Sequence, residues 1–367
     1  MYFILNVFIL ILLIFFSRTK RDNHRRAYIT IITVVMIIMS GLRNEYVGND
    51  TIVYLKQFNN SFSESWSNIF SVFWDAYFNP NSSTGKDPAM WIVNKLIGLV
   101  STDHIFFLLV TSALFLIPLG VFFYRNTKNP MEVAMSYLFF NTLYYTFIPN
   151  SAIRQSIALG FVLMAYMALP KRKLIVPILL VLIGSLFHRS ALLVFLFILL
   201  IKVINPKVFY RISLVLIPLM LLFYREIGFI MADTNDIYAN YGSGSMFSEG
   251  GRPIVIVLFY IGLYLMGLLR LGAFSKEETK NAQVGYPMIG AALTVIFVPL
   301  VRLDSTLIRV SSYFVVWLCL FIPIVLEKYS PVLRNILLLG IMGVLLYRSF
   351  VEPQQYAFFW QNLNPME

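Results

Sequence analysis

Twelve apolar runs constrain the fold of this 367-residue chain more than any other feature of its sequence. A membrane-spanning helix needs about 20 mainly apolar residues, and these runs are close to that length. Hydrophobic residues make up 59% of the chain and charged residues 13%, against about 25% charged in soluble domains. We therefore predict an all-α fold: a polytopic transmembrane helical bundle of about twelve spans, forming a single integral-membrane domain over 1–367. The runs lie at 2–16, 27–42, 104–124, 131–148, 154–169, 174–187, 190–204, 208–224, 253–270, 284–301, 307–326 and 335–350.

The distribution of Lys and Arg predicts how these spans are oriented. The loop 18–26 carries five basic residues, and cytoplasmic loops of membrane proteins are enriched in Lys and Arg. With this loop inside, strict alternation places eighteen of the 29 basic residues inside, but only five of the 18 acidic residues. The net charge of +11 therefore indicates membrane orientation, not nucleic-acid binding, and both termini are predicted outside.

Two longer segments, 43–103 and 225–252, fall on the outer side in this arrangement. The sequence of the first segment predicts short extracytoplasmic amphipathic helices. They could lie in the lipid headgroup region, cover a cavity or pack against the rest of the protein. The second contains Gly242-Ser243-Gly244 and is either a flap over an active site or a plain connector. The apolar residues at helical spacing in the first are Trp66, Ile69, Phe70, Phe73, Trp74 and Tyr77.

Arginine is the basic residue at every predicted outer span end, whereas all three outer lysines lie within 43–103. The planar guanidinium can make bidentate contacts with phosphate or carboxylate groups. We expect an anionic ligand at the outer leaflet, such as a lipid-linked phosphate; the alternative is that these side chains reach lipid headgroups. The eight are Arg43, Arg154, Arg189, Arg225, Arg252, Arg302, Arg309 and Arg348.

The first polar cluster at an outer span end runs from Arg43 through Val47-Gly48-Asn49-Asp50-Thr51 to Tyr54. Gly48 permits a tight turn. Asp50 either caps the helix that follows or acts as a carboxylate that binds sugar hydroxyls or accepts a proton.

Two further clusters follow. Arg154 and Gln155 stand at the start of an apolar span, where a polar side chain at membrane depth is a functional candidate. His188 and Arg189 lie at the junction of two short spans, which we predict to be a helix break. Because histidine titrates near neutrality, His188 is a candidate general base. The alternative is a structural role, in which His188 hydrogen-bonds to the backbone groups that the helix break leaves without partners.

The last spans carry a weaker group of charges at their predicted outer ends. Arg302 is followed by Asp304, with which it could form a local ion pair, and then by Arg309. No metal site is expected, because three scattered histidines and one cysteine do not make a usual ligand set. No glycine-rich nucleotide motif is present either, so no cofactor is expected.

At these clusters the sequence resembles the EpsG family, a branch of Wzy-like bacterial polysaccharide polymerases. The resemblance covers residues 1–200 best, while Asp87 stands where glutamate would be expected and is given no catalytic role. The motifs are Gly41-Leu42-Arg43 with Val47-Gly48-Asn49-Asp50-Thr51 and Tyr54, Asp87-Pro88 before an aromatic helix, Arg154-Gln155-Ser156-Ile157-Ala158 and Phe187-His188-Arg189-Ser190-Ala191, with weaker matches at Arg302, Arg309 and Tyr313.

The resemblance implies a GT-C-like membrane glycosyltransferase of the bacterial cytoplasmic membrane. Such an enzyme extends an exopolysaccharide or capsule at the outer face, moving a glycan from undecaprenyl pyrophosphate to a lipid-linked acceptor. Its partners would be these lipid-linked oligosaccharides, membrane lipid and other polysaccharide-assembly proteins, and it would need no cofactor. The candidate bases are His188, then Asp50; the candidate ligands of pyrophosphate or sugar are Arg43, Arg154, Gln155, Arg189, Arg302, Arg309 and Tyr54.

Three other functions stay open at this point. A flippase or transporter of lipid-linked oligosaccharide would also have many spans and outward arginines, but should carry charges facing both leaflets and an internal repeat. A membrane O-acyltransferase would use a histidine and an acyl donor that enters from the cytoplasm, so an outward His188 argues against it. A non-catalytic partner of an export complex is the third possibility.

Overall fold

The fold is described from a computed structural model of the chain. It describes residues 1–17, 22–78, 88–170, 173–233, 254–302, 307–351 and 355–363. Within these ranges the regular secondary structure is helical, apart from one isolated antiparallel bridge between Arg43 and Phe358. The predicted all-α fold is thus confirmed.

The chain forms two compact units. The first comprises Met1–Leu192 together with Met342–Glu367, and the second comprises Leu193–Ile341. The single-domain assignment over 1–367 and the outer position of 43–103 stay predictions. Most of the second predicted outer segment, including Gly242-Ser243-Gly244 and Arg252, lies outside the described residues.

The first unit contains nine helices within its described residues, together with the end of a tenth that begins in the second unit. Asp103 begins α6 because its carboxylate accepts hydrogen bonds from the backbone N–H groups of Ile105 and Phe106. A π-helical turn, Asn141–Tyr145, continues α7. The nine are α1 (Tyr2–Phe16), α2 (Asp22–Gly41), α3 (Thr51–Ser63), α4 (Trp66–Phe78), α5 (Ala89–Gly98), α6 (His104–Asn126), α7 (Pro130–Phe140), α8 (Ile153–Ala168) and α9 (Ile175–Phe187).

The second unit begins at Leu193, the last residue of the 3-10 turn Arg189–Leu193, which is the break predicted between the two short spans. Its α11 is kinked at Phe223, whose φ and ψ of −106° and 16° are not helical. Another 3-10 turn, Val298–Arg302, follows α14. The helices are α10 (Val194–Val203), α11 (Pro206–Asp233), α12 (Ile254–Leu269), α13 (Lys276–Lys280), α14 (Ala282–Phe297), α15 (Ile308–Leu326) and α16 (Pro331–Val351), the last of which ends in the first unit.

All twelve apolar runs of the sequence coincide with helices. Within the described residues, five helical segments are long and apolar enough to cross a membrane by themselves, and several shorter apolar helices accompany them. The protein is therefore a multi-pass membrane protein, while the number of about twelve spans stays a prediction. The five are His104–Asn126, Pro206–Ile227, Ala282–Arg302, Ile308–Leu326 and Pro331–Val351.

In the first unit, α2 and α6 pack antiparallel and bring together the two ends of the segment 43–103. Thr33 lies against Gly120 near the middle of the two helices, and Gly41 lies against Leu109 near one end. The residues just after α2 and the residues just before α6 consequently reach the same end of the unit. This end carries much of the candidate site.

Candidate functional site

The first two polar clusters of the sequence are packed against each other. Gly48 has a φ of +88°, and a Cβ at this position would lie 1.9 Å from the backbone oxygen of Asn150. Only glycine fits this turn. The Thr51 hydroxyl donates to the same Asn150 oxygen at 2.9 Å. The turn before α3 is thereby fixed to the chain just before α8.

This packing joins two of the predicted site residues, Arg154 and Tyr54. Arg154 Nε donates to Tyr54 Oη at 3.2 Å, and the Arg154 guanidinium carbon lies 5.6 Å from the centre of the Tyr54 ring. Tyr54 is buried, and so is Gln155, the neighbour of Arg154. The tyrosine therefore orients the guanidinium by a hydrogen bond and a cation–π contact.

Arg43 is the most deeply buried charge of the predicted set, with 1% of its surface exposed. Its Nη1 donates to the Ser40 carbonyl, but Nε and Nη2 have no hydrogen-bond partner among the described residues. Burial lowers the pKa of Arg43 to about 10, so the side chain remains a cation at neutral pH. A buried cation with unused donors is unfavourable unless an anion pairs with it.

A segment from the far end of the sequence, 355–363, holds the backbone on either side of Arg43. Asn44 N donates to Ala357 O at 2.8 Å, and Phe359 N donates to Leu42 O at 2.9 Å. The Asn44 side chain adds a bond to Gln361 O at 2.7 Å. These bonds form the antiparallel bridge between Arg43 and Phe358.

A cavity of about 470 Å³ lies at this end of the first unit, and Arg43 forms part of its wall. The other walls come from the turn after α2, from α3, from the start of α6 and from Phe359. Sequence reasoning gave no role to Glu45, Asp103 or His104, although all three line this cavity. These residues lie together only because the end of α2 meets the start of α6 in the folded protein, and the sequence does not show that contact.

Asp50 is at the position that precedes α3, but its side chain makes no capping hydrogen bond. The capping interpretation is thus not what the geometry shows. The carboxylate is half-buried and stays a candidate for the chemical role.

His188 ends α9 with extended backbone angles, a φ of −158° and a ψ of 111°. A Cβ on Gly184 would lie 3.1 Å from Ala158 O, so α8 and α9 are in close contact there. Because the two helices are joined by a short loop and run antiparallel, His188 is at about the level of Arg154, four residues from the contact on each helix. Arg189 is exposed, and its Nη2 donates to Ala76 O at 3.0 Å.

In the second unit, Arg302 lies on an aromatic ring. Its guanidinium carbon is 4.9 Å from the centre of the Tyr224 ring, and that of Arg225 is 5.8 Å from the same ring. Arg225 Nε also donates to Tyr224 Oη at 3.2 Å. Tyr224 directly follows the kink at Phe223, which the sequence does not signal.

The remaining predictions on the second unit are only partly described. Arg309 is half-buried in the first turn of α15. Asp304 lies outside the described residues, so its predicted pairing with Arg302 is not described. In the described part of the chain, no three His, Cys, Asp or Glu side chains are grouped so that they could hold a metal ion.

Comparison with known proteins identifies the family. The sequence model described as the EpsG family matches residues 26–365, which include every candidate site residue. Neither the curated proteins nor the solved structures gave a match. Since the family match spans nearly the whole chain, this protein belongs to the EpsG family of Wzy-like polysaccharide polymerases.

Proposed function

We propose that this protein polymerises the repeat units of an exopolysaccharide or capsule at the outer face of the bacterial cytoplasmic membrane. It transfers a growing glycan from undecaprenyl pyrophosphate to a lipid-linked acceptor. Family membership supports polysaccharide polymerisation, and the apolar helices support a site beside the lipid. The arginines support the two remaining parts of the proposal, which are the pyrophosphate-linked donor and the location at the outer face.

The observation that carries this proposal is the Arg43 guanidinium. It is buried, it remains charged, and two of its nitrogens have no hydrogen-bond partner among the described residues. Removing such an ion from water costs several kcal/mol unless an opposite charge and further hydrogen bonds compensate it. A phosphate oxyanion supplies both, and its oxygens match the geometry of the guanidinium.

The same chemistry explains how Arg43 would accelerate transfer. Negative charge grows on the pyrophosphate as its bond to the sugar breaks. Hydrogen-bond donors that are already in place stabilise this charge without reorganising. Arg154, oriented by Tyr54 and next to Gln155, is the second ligand in the proposal, and Arg189 is the third.

We also propose Arg302 and Arg309, which belong to the second unit, as residues that bind pyrophosphate or sugar. Arg302 is held over Tyr224, and a cation over a ring presents its edge for hydrogen bonding to an oxyanion.

The reaction itself exchanges one bond for another. An acceptor hydroxyl oxygen bonds to the anomeric carbon of the donor sugar, the bond from that carbon to the pyrophosphate oxygen breaks, and undecaprenyl pyrophosphate leaves. The hydroxyl proton passes to a base. His188 is proposed for this role, and Asp50 is the second candidate.

A ladder assay tests the proposal. Purified protein in lipid vesicles is given the lipid-linked repeat unit, and the products are separated by glycan length. We expect a ladder with the wild type. Arg43→Lys keeps the positive charge but removes the planar guanidinium with its paired N–H donors. The transition state should lose roughly 2–4 kcal/mol of stabilisation, so the rate should fall about 30- to 1000-fold.

Lys56→Ala is the matched control, because Lys56 is an exposed cation of the same outer segment. It should leave the ladder unchanged. Movement of the repeat unit across the vesicle membrane without any lengthening would show a transporter and overturn the proposal.

A further inference from the structure

A groove runs along α2 and α6, starting from the end of the first unit opposite Arg43. Its volume is about 530 Å³, which lies within the roughly 300–1,000 Å³ typical of small-molecule sites. Its wall extends from Arg26 to Ile37 on α2 and from Ile117 to Tyr124 on α6, and the lining positions on each helix are three or four residues apart or adjacent. Such spacing belongs to a single helix face, so each helix contributes one continuous side of the groove.

The groove forms beside a close contact between the two helices. A Cβ on Gly120 would lie 2.6 Å from Thr33 Oγ1, so only glycine allows this approach. The Thr33 hydroxyl shares a hydrogen bond of 2.7 Å with the Tyr137 hydroxyl and offers no unused polar group to the groove. On the open side, Val34 is 46% exposed and Val121 is 38% exposed. The body of the groove is therefore an apolar surface open to lipid.

The length of the groove matches one leaflet of a bilayer. Arg26 and Ile37 are eleven positions apart on α2, and a helix rises 1.5 Å per residue, so the α2 wall is about 16 Å long. This is about half of the roughly 30 Å hydrocarbon core. A lipid of a single leaflet would place its headgroup at Arg26 and an acyl chain along the wall towards Ile37.

The end of the groove at Arg26 carries an excess of positive charge. The Asp22 carboxylate accepts hydrogen bonds from the Tyr124 hydroxyl and from Arg25 Nη2, both at 2.6 Å. These bonds lower the pKa of Asp22, so it stays ionised and offsets the charge of Arg25. Arg26 is exposed and makes no hydrogen bond or salt bridge to any of the described residues. Three more basic residues precede it in the sequence, within 18–21. This end is therefore complementary to an anionic headgroup.

We infer that this groove binds one anionic phospholipid, with an acyl chain between α2 and α6 and the phosphate group at Arg26. Basic pockets between transmembrane helices recognise anionic headgroups by this chemistry. In the predicted orientation the lipid belongs to the cytoplasmic leaflet. The site is separate from the candidate functional site, since Arg26 and Arg43 are seventeen positions apart, or about 25 Å along a helix. The inference does not depend on the proposed function.

A comparison of two lipids tests the inference. The purified full-length protein in a nonionic detergent is titrated with dioleoyl phosphatidylglycerol or dioleoyl phosphatidylcholine, and bound lipid is counted by native mass spectrometry. The acyl chains are identical, but the choline headgroup places a cation beside Arg26. We expect the first phosphatidylglycerol to bind at an about tenfold lower concentration than the first phosphatidylcholine. Glycerol phosphate, which has no acyl chains, should not displace it.

Substitution of Arg26 tests the headgroup contact. Arg26→Gln should raise the half-binding concentration of phosphatidylglycerol about tenfold, because it removes a contact between two charged groups. Binding of phosphatidylcholine should change little. Arg125→Gln is the matched control, since Arg125 is an exposed arginine in the last turn of α6 that does not line the groove. It should leave both titrations unchanged.

A second pair of variants tests the acyl-chain part of the groove. Val34→Trp places a large side chain in the groove and should also weaken phosphatidylglycerol binding about tenfold. Ile38→Trp is its control, because Ile38 is one turn further along α2 and similarly exposed, at 44%, but does not line the groove. It should leave binding unchanged.

Equal binding of the two lipids would overturn the inference. So would equal effects of Arg26→Gln and Arg125→Gln, which would show attraction to positive charge in general, or equal effects of Val34→Trp and Ile38→Trp. Displacement by glycerol phosphate would show a headgroup site without a role for the groove and would overturn it as well. None of these measurements involves glycan transfer, so failure of the ladder assay would contradict the proposed function alone.

Discussion

The contact between Arg154 and Tyr54 allows the arginine hypothesis to be tested quantitatively. Arg154→Lys keeps the positive charge but removes Nε, which donates to Tyr54 Oη at 3.2 Å, and removes the planar fork. Loss of a charge-assisted contact in a desolvated site corresponds to roughly 2–4 kcal/mol, or about a 30- to 1000-fold lower rate.

Tyr54→Phe isolates the smaller part of this effect. It keeps the ring under the guanidinium and deletes only the hydroxyl. A hydrogen bond to a charged group contributes about 1.5–3 kcal/mol, and since 3.2 Å is at the long end of the range, about 1 kcal/mol and a fivefold lower rate are expected.

The double variant shows whether Tyr54 acts through Arg154. The rate is measured from the shortest glycans of the ladder at matched protein amounts. Once Arg154 is lysine, Tyr54→Phe should have little further effect, because its partner Nε is already gone; the two changes are therefore non-additive. Wild-type rates in Arg154→Lys would refute the reasoning and leave Arg154 as a residue that only contacts lipid or packs.

Three other outcomes are expected. Cysteines placed at Asn81 and Lys171 in a cysteine-free background should be labelled by a membrane-impermeant reagent in intact cells only at 81; the reverse pattern would invert the predicted orientation. His188→Gln should lower chain extension by about 10²–10⁴ with folding retained, whereas normal extension together with an inactive Asp50→Asn would make Asp50 the base. Gly48→Ala should lower the thermal unfolding temperature measured in detergent, because the left-handed backbone costs about 1–2 kcal/mol before the overlap with the neighbouring carbonyl; an unchanged temperature would show that the turn is not needed.

Features encoded locally in the sequence were predictable. The apolar runs mark the helices, because a chain in lipid must satisfy its backbone hydrogen bonds within each segment. The break near His188 was also predictable, since the runs on either side are too short to be independent spans. The presence of Arg154 and Tyr54 in the site was expected as well, but not their contact.

Features that depend on pairing between distant segments were not predictable. Asn44 and Gln361 are 317 residues apart, and no local pattern links them. The cavity likewise requires the register between α2 and α6. The apolar stripe predicted for α4 includes Ile69, but this residue is buried; the exposed row is Trp66, Phe70, Trp74 and Phe78. The spacing of apolar residues predicts the helix, but it does not show which of these residues are buried against the rest of the protein.

The bridge between Arg43 and Phe358 also has a consequence for biosynthesis. Translation proceeds at about 5–20 residues per second, so the segment that bonds to the backbone beside Arg43 is made on the order of 15–60 seconds after the arginine itself. Throughout that interval the backbone N–H of Asn44 and the carbonyl of Leu42 have no partner from 355–363. A ribosome that stops before Tyr356 would release a chain with every described helix but without this bridge. The bridge can therefore form only after α16 has been synthesised, so the backbone on either side of Arg43 is fixed later than the helices that precede it.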